Sequence, residues 1–222
     1  MKRGARIGIF AMLLGIATAL VIMTSMAFLR SEPITVDYTT AQPKGQPVHL
    51  TLQTVSAIGF GDNPNWVSYL AESPQGKWVH STLWDLPAHT TIDVTLYQYD
   101  SGGPLRNQER GVVQGVKPTL NGKLFSLIDS YKGNGVGHTF SIPRLGINVP
   151  LAGVNGNAKN FCNAAPCPLS DAHNTIKFSF TTPGPGQYRW QCFVPCGLGY
   201  LYGNGGPMST LGYMGGFLKV VA

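Results

Sequence analysis

The chain has 222 residues, of which 12% are charged and 43% hydrophobic, with 28 glycines and 16 prolines. So few charges and so many turn formers argue against a helical bundle or coiled coil, and the four Trp, nine Tyr and ten Phe argue against disorder. The formal charge of +6 does not indicate a nucleic-acid partner, because Lys2, Arg3, Arg6 and Arg30 leave only +2 for the residues that follow.

The N-terminal region contains a long apolar run. Residues 7–29 are 23 consecutive uncharged, mostly apolar residues, preceded by three basic residues. A helix of that length crosses a hydrocarbon core of about 30 Å, and the basic residues favour a cytoplasmic N-terminus. We predict that residues 1–30 form a single-pass anchor in the cell membrane, with the rest on the extracytoplasmic side. A cleaved signal peptide is the alternative, because residues 25–27 (Ser-Met-Ala) have the small-x-small pattern of a cleavage site.

The remainder of the chain has the pattern of a β protein. Residues 31–47 are polar, contain prolines and predict a linker. Residues 48–222 predict one domain of short strands separated by glycine and proline turns, either a sandwich or a barrel. The loops at 100–123 and 152–172 are long enough to be functional insertions. The clearest predicted strands are 49–55, 78–83, 91–98, 137–142, 175–181, 187–192 and 216–221.

A cluster of metal-binding residue types lies near the C-terminus. A predicted strand ends at Cys192, Cys196 follows at C-x3-C spacing, and a glycine-rich loop then leads to Met214 and the last strand. His138 begins another strand upstream. Histidine, cysteine and methionine presented from one end of a sandwich form a soft ligand set that suits copper. Met208 is a second thioether in the same loop.

Four segments carry a resemblance to a known family. Residues 86–95 (LPAHTTIDVT) look like a P-x-G-T-x-V-x-V strand, and residues 137–142 (GHTFSI) resemble the strand that brings the first ligand histidine. Residues 183–192 (PGPGQYRWQC) are similar to a PGxYxYxC strand, and residues 214–220 fit an axial methionine and final strand. Residues 48–222 thus resemble the cupredoxins, including blue-copper proteins and the copper domain of cytochrome c oxidase subunit II. The resemblance implies a Greek-key β-sandwich and electron transfer or copper handling beside a membrane oxidase or other respiratory complex.

The ligand pattern departs from that family. A blue-copper site has a second histidine two to four residues beyond the cysteine, where this chain has Cys196. The binuclear site of the oxidase subunit places a histidine where this chain has Tyr200, and no histidine follows His173. The set that remains has one nitrogen and three sulfur donors, which favours Cu(I). Its members are His138, Cys192, Cys196 and Met214.

The remaining histidines and the nearby tyrosines each have a structural role as an alternative to a role at the metal site. We expect the remaining histidines to lie at surface or turn positions, and His80 and His173 are the two that could supply the missing imidazole. The tyrosines near Trp190 predict either an aromatic cover over the site or packing at the end of the sandwich. The histidines are His49, His80, His89 and His173, and the tyrosines are Tyr200, Tyr202 and Tyr213.

The four cysteines leave two functions open. Exported cysteines most often form disulfides, and Cys162 with Cys167 predicts a structural one. A Cys192–Cys196 disulfide would remove both thiolates from any metal. The chain is then either a copper protein that passes an electron or Cu(I) to a membrane oxidase, or a copper-free accessory subunit. The sequence contains no G-x-S-x-G, H-E-x-x-H or G-x-x-x-x-G-K motif, so we expect neither enzymatic activity nor a small-molecule substrate.

Overall fold

The computed structural model describes residues 3–29, 33–61, 63–197 and 206–222. The chain divides into two compact units, residues 1–32 and 33–222. The first unit contains one helix, α1 (Arg3–Leu29). Its segment Gly4–Ser25 has 22 residues and a mean hydropathy of 2.4, so it is long and apolar enough to cross a membrane. The predicted apolar helix is confirmed.

The second unit is a two-layered β-sandwich, as predicted. One sheet, called sheet A, has six strands in the order β1-β5-β13-β12-β9-β10, and sheet B has seven in the order β4-β3-β2-β6-β11-β7-β8. The strands are β1 (Thr35–Asp37), β2 (Val48–Val55), β3 (Ser68–Glu72), β4 (Trp78–Val79), β5 (Leu83–Pro87), β6 (Thr91–Gln98), β7 (Thr119–Leu120), β8 (Lys123–Leu124), β9 (Val136–Ile142), β10 (Ile147–Ala152), β11 (Asn174–Thr181), β12 (Gly186–Gln191) and β13 (Gly215–Val221). Short 3₁₀ turns lie at Gln108–Gly111 and Pro143–Leu145.

Strands that are distant in the sequence are neighbours in both sheets. In sheet A, β5 pairs parallel with β1 and β13, and β12 lies antiparallel between β13 and β9. In sheet B, β6 pairs parallel with β2 and antiparallel with β11. This order is consistent with the predicted Greek key. It also brings β9, β12 and the start of β13 side by side, although their sequence positions span about 80 residues.

The core between the sheets is rich in aromatic rings. In β6, every second side chain from Ile92 to Gln98 is buried, and this alternation is the one the sequence shows. Trp190 on β12 stacks against Trp84 on β5 at 4.7 Å and against Phe140 on β9 at 5.3 Å between ring centroids. The indole N–H of Trp190 donates to the Thr82 carbonyl at 3.0 Å, so the one polar atom of this buried ring is paired.

The predicted disulfide is present beside a smaller hydrophobic cluster. Cys162 and Cys167 are bonded to each other, and both are buried. The Gln53 side chain holds this loop against β2, because its amide donates to the Cys167 carbonyl at 2.8 Å and accepts from the Cys167 backbone N–H at 2.9 Å. Val55, Leu70 and Tyr99 complete the buried part of the cluster.

The structure differs from the sequence-based organisation at the predicted linker and at the predicted strand 78–83, among other places. Within the predicted linker, β1 pairs with β5, and both Val36 and Tyr38 are buried in the core. One apolar residue between two polar ones, as at Val36, is enough for a short edge strand. The predicted strand 78–83 is wrong as one element. Its first two residues belong to sheet B, whereas Leu83 begins a strand of sheet A, so the chain crosses between sheets over residues 80–82.

Candidate metal centre

Three neighbouring elements of sheet A deliver the candidate ligands. His138 lies in the middle of β9, and Cys192 follows directly after β12. Met214 immediately precedes β13, and because β12 and β13 pair antiparallel with Gln191 opposite Gly215, Cys192 lies opposite Met214. The Cys192 backbone N–H donates to the Met214 carbonyl at 2.8 Å. The turn after Cys192 then brings Cys196 back toward the same end of the sandwich.

The histidine and both cysteines meet at one point. His138 Nδ1 lies 3.0 Å from Cys196 Sγ and 3.8 Å from Cys192 Sγ, and the two sulfur atoms are 3.4 Å apart. An ion bound tetrahedrally at about 2.0 Å from nitrogen and 2.3 Å from sulfur holds its donor atoms roughly 3.5–3.8 Å apart. The three donor atoms therefore fit a metal ion with shifts of about half an ångström or less. Among the described residues, this is the group of His, Cys, Asp or Glu side chains that could hold a metal.

A carboxylate holds the far side of the histidine. Asp100 Oδ2 lies 3.0 Å from His138 Nε2, and only 3% of the His138 side chain and 15% of the Asp100 side chain are exposed. The Ser101 backbone N–H donates to Asp100 Oδ1 at 2.8 Å. Metal-bound histidines commonly donate their second ring N–H to a carboxylate, which leaves the other nitrogen free to bind. The arrangement leaves Nδ1 facing the two sulfur atoms and supports the fit of a soft metal ion.

Hydrogen bonds to backbone groups also hold the cysteine side chains in position. The Thr139 backbone N–H donates to Cys192 Sγ at 3.4 Å, and the Thr139 hydroxyl accepts from the Phe193 N–H at 2.8 Å. Cys196 Sγ donates to the Val194 carbonyl at 3.0 Å. These contacts hold the turn between the cysteines so that both sulfur atoms point to His138. Neither Cys192 nor Cys196 forms a disulfide in the structure.

In the metal-free site, hydrogen bonds favour the charged forms of His138 and Cys192. Burial alone would lower the pKa of His138, but hydrogen bonds with Asp100 and Cys192 outweigh it and raise the pKa to about 9. Burial opposes ionisation of Cys192, yet hydrogen bonds from Cys196 and His138 bring its pKa well below the ordinary value. The pKa of Cys196 is raised, first by its hydrogen bond with Cys192 and then by burial. The charge state that follows is a Cys192 thiolate beside the His138 imidazolium, with Cys196 as the protonated thiol.

The two methionines differ in burial. Met214 is fully buried in the main core, and Met208 is partly buried against it. Met214 is the better placed thioether, because its backbone is hydrogen-bonded directly to that of Cys192. Its role as a ligand stays a prediction.

The other histidines do not join this group. His49 and His89 are exposed, as predicted, and His89 occupies a turn with a φ of 52°. His80 is half-buried, with its ring 4.7 Å from that of Tyr213 and its Nε2 3.4 Å from Ser68 Oγ. His173 is half-buried beside Tyr97 and Tyr99 in the disulfide cluster. Among the described residues, neither supplies a second imidazole to the metal centre.

The predicted aromatic cover is only partly described. Tyr213 is buried, and its ring contacts Trp66 at 4.8 Å as well as His80, so it packs at this end of the sandwich. Tyr200 and Tyr202 lie outside the described residues. The alternative role of packing therefore fits Tyr213.

Two residues at the centre, Asp100 and Thr139, were not predicted from the sequence. Asp100 follows two residues after β6, at the start of the loop expected to be a functional insertion, which is the one signal that could have singled it out. Thr139 acts mainly through its backbone and hydroxyl, and residue type alone does not reveal such a role.

A surface cleft of about 400 Å³ borders the centre. Cys196 is half-buried, whereas Cys192, Met214 and His138 are buried. Besides Asp100, His138 and Cys196, the cleft is lined by uncharged residues, among them Gly102, Gly103, Pro104 and Pro195. The centre is therefore reached most directly from the Cys196 side.

Comparisons with known proteins match structures but not sequence families. No protein-family description matches the chain, and no curated protein matches it. Solved structures that are similar include rusticyanin from Thiobacillus ferrooxidans, with 19% identity, a TM-score of 0.34, and coverage of 90% of this chain and 92% of that one. A chain of a heme-copper terminal oxidase dimer has 15% identity, a TM-score of 0.32, and coverage of 99% and 100%. Because these identities and TM-scores are low, the likenesses carry no argument about the centre, whose chemistry follows from its own residues.

Proposed function

We propose that this protein is a membrane-anchored copper protein that binds one copper ion at His138, Cys192, Cys196 and Met214 and transfers electrons to a membrane oxidase or another respiratory complex. The observation that supports it most directly is the meeting of His138 Nδ1 with two cysteine sulfur atoms at 3.0 and 3.8 Å, with Asp100 on the other ring nitrogen. Copper would supply a one-electron couple at this position. The soft donor set suits copper better than a hard cation such as Mg²⁺.

The protein's own contribution is a rigid, nearly dry pocket. His138, Cys192 and Met214 are each 2% exposed or less and sit on or beside paired strands. Aromatic rings back the pocket, since Tyr69 lies 4.8 Å from Trp190 and its hydroxyl donates to the Thr139 carbonyl at 2.9 Å. Donor atoms that barely move between oxidation states keep the reorganisation of the site small, which is what an electron carrier needs.

The apolar helix α1 supports placement at a membrane. As an uncleaved anchor it would keep the sandwich near its partner and raise their effective concentration. The basic residues before the apolar run favour a sandwich on the extracytoplasmic side. The disulfide at Cys162–Cys167 fits such an oxidising compartment.

Two other functions were expected from the sequence, and the geometry weighs against one of them. A copper-free accessory subunit would fit a Cys192–Cys196 disulfide with His138 turned away, whereas both thiols are free and His138 faces them. Delivery of Cu(I) is supported by the sulfur-rich donor set and by the half-buried position of Cys196. The oxidation state of the bound copper distinguishes delivery from electron transfer.

The test uses the full chain in detergent micelles, with Cys192 and Cys196 reduced under conditions that leave the buried disulfide intact. Copper per chain, the visible spectrum and the reduction potential would be measured for the natural protein and for Cys192→Ser. The matched control is the Cys162→Ser/Cys167→Ser double variant, which removes two cysteines away from the centre.

We expect one copper per chain with an intense thiolate-to-Cu(II) band that disappears reversibly on reduction. The Cys192→Ser variant should lose this band, and the control should keep it. Copper held only as colourless Cu(I) would favour delivery over electron transfer. A reduced natural protein that binds no copper would contradict the proposal and favour the accessory role.

A further inference from the structure

Asp100 is the only acidic side chain in contact with the described part of the metal centre, and its placement has consequences for the redox state. Its Oδ2 faces His138 Nε2 at 3.0 Å, and its Oδ1 accepts from the Ser101 N–H at 2.8 Å. The Asp100 backbone is also held, because its carbonyl accepts from the Val154 N–H at 2.9 Å and from the Gln98 side-chain amide at 3.1 Å. Four hydrogen bonds thus fix both the carboxylate and the chain that carries it.

Such a carboxylate is costly unless it has a specific partner. A mostly buried charge loses its hydration, and this loss must be offset by pairing and hydrogen bonds. His138 is the side-chain partner that the structure gives to Asp100. By contrast, Asp93 lies on the outer face of sheet B with 39% of its side chain exposed.

We propose that Asp100 is a positioning residue that fixes Nδ1 of His138 as the metal-binding nitrogen and, through its negative charge, favours Cu(II) over Cu(I) at this centre. The inference rests on the proposed function and deepens it, because it predicts the redox preference of the site. Asp100 acts through His138 and does not itself contact the sulfur atoms.

The direction of the redox effect follows from counting charges. Two cysteine thiolates balance the charge of Cu(II), and Asp100 adds one further negative charge on the far side of the imidazole. Reduction to Cu(I) adds another unit of negative charge to the same buried region. Because charge interactions are strong where water is excluded, the carboxylate opposes this step. It thereby counteracts the Cu(I) preference of the sulfur donors, as an electron carrier requires and a Cu(I) carrier does not.

The experiment compares variants of the full chain in detergent. Asp100→Asn removes the charge and keeps an oxygen that can accept the His138 N–H, whereas Asp100→Ala removes both. Asp100→Glu retains the charge, and Asp93→Asn is the control that removes one carboxylate charge from the opposite sheet. The dissociation constants for Cu(II) and Cu(I) and the reduction potential are measured for each.

For Asp100→Asn we expect the ratio of the Cu(II) to the Cu(I) dissociation constant to rise about tenfold or more, in line with the 10–100-fold effects of residues behind metal ligands. A tenfold change in this ratio corresponds to a potential about 59 mV more positive for a one-electron couple. Asp100→Glu and Asp93→Asn should stay close to the natural protein. A ratio that stays constant in Asp100→Asn, with or without a common loss of affinity, would overturn the redox assignment.

A second readout does not require copper. In the reduced, metal-free chain, the His138 Nε2–H should give a downfield proton signal that is protected from exchange in the natural protein and in Asp93→Asn, and that is lost in Asp100→Ala. Absence of this protected signal from the natural protein would overturn the positioning role. If the natural chain bound no copper but showed the signal, the proposed function would fail while the orientation of His138 by Asp100 would be supported.

Discussion

Gly216 is a position where a single methyl group should disrupt the sandwich. A Cβ atom added to Gly216 would lie 1.9 Å from the Thr82 carbonyl oxygen and 2.6 Å from the Thr82 carbonyl carbon, far inside van der Waals contact. The obstacle is backbone, which cannot swing aside as a flexible side chain would. The Thr82 carbonyl also accepts two hydrogen bonds, from the Phe217 N–H and from the Trp190 indole N–H, each at 3.0 Å.

The expected cost of Gly216→Ala follows from these contacts. Displacing β13 from β5 to make room for the methyl group is an overpacking change, which costs about 1–3 kcal/mol. Loss or lengthening of the two hydrogen bonds to Thr82 adds about 1 kcal/mol each. We therefore expect the free energy of unfolding to fall by about 3–5 kcal/mol. A domain stabilised by about 5–15 kcal/mol loses much of its margin at that cost.

The assay is urea unfolding of the full chain in detergent, followed by tryptophan fluorescence, because Trp190 and Trp84 stack beside the perturbed strand. The matched control is Gly184→Ala, whose added Cβ would meet nothing closer than the His89 ring at 3.9 Å. The control should change the free energy of unfolding by less than about 0.5 kcal/mol. A loss in Gly216→Ala as small as that of the control would refute the steric reasoning.

Three further predictions concern stability. Replacing Cys162 and Cys167 by serine should lower the free energy of unfolding by about 2 kcal/mol, because the bond closes a short loop with a sequence separation of 5; an unchanged urea midpoint would contradict this. Burial lowers the pKa of His80 to about 4, whereas an unfolded histidine titrates near 6.5. The unfolded chain therefore binds more protons between these values, and stability should fall by up to about 3 kcal/mol as the pH drops from about 6.5 to 4. His80→Gln should lack this component, and pH titrations of the urea midpoint that coincide for both proteins would rule it out. Tyr69→Phe should lower the free energy of unfolding by about 1–2 kcal/mol, because it leaves the buried Thr139 carbonyl without the hydroxyl donor. The control Tyr131→Phe, at an exposed ring, should lower it far less.

Local sequence patterns predicted the elements whose two faces differ. The run at residues 7–29 indicated the apolar helix, because apolar length is a property of consecutive residues. Strands such as β6 and β11 were recognisable because one face is buried and the other is not, so their residues alternate. β3 and β10 were missed: the sequence of β3 (SYLAE) has no apolar–polar alternation, and β10 (INVPLA) alternates but contains Pro150, which weakens the strand signal.

Cysteine and histidine chemistry was also partly local. Because exported cysteines most often form disulfides, Cys162 and Cys167 in one loop predicted a disulfide, which the structure contains. The C-x3-C spacing and the upstream histidine singled out His138, Cys192 and Cys196 as one group. The spacing of Cys192 and Cys196 did not decide whether they form a disulfide or stay free, because C-x3-C is compatible with a disulfide and with a metal site.

The sequence by itself determined the apolar helix, the β character of the rest and the residue types available to a metal. Only the tertiary structure decided which of those residues meet, because the pairing of β9, β12 and β13 joins positions about 80 residues apart. It also decided that Asp100 stands behind His138, and that His80 and His173 pack against aromatic rings elsewhere. Side-chain chemistry is carried by single residues, whereas the distance between two donor atoms depends on strand order and register, which no local pattern records.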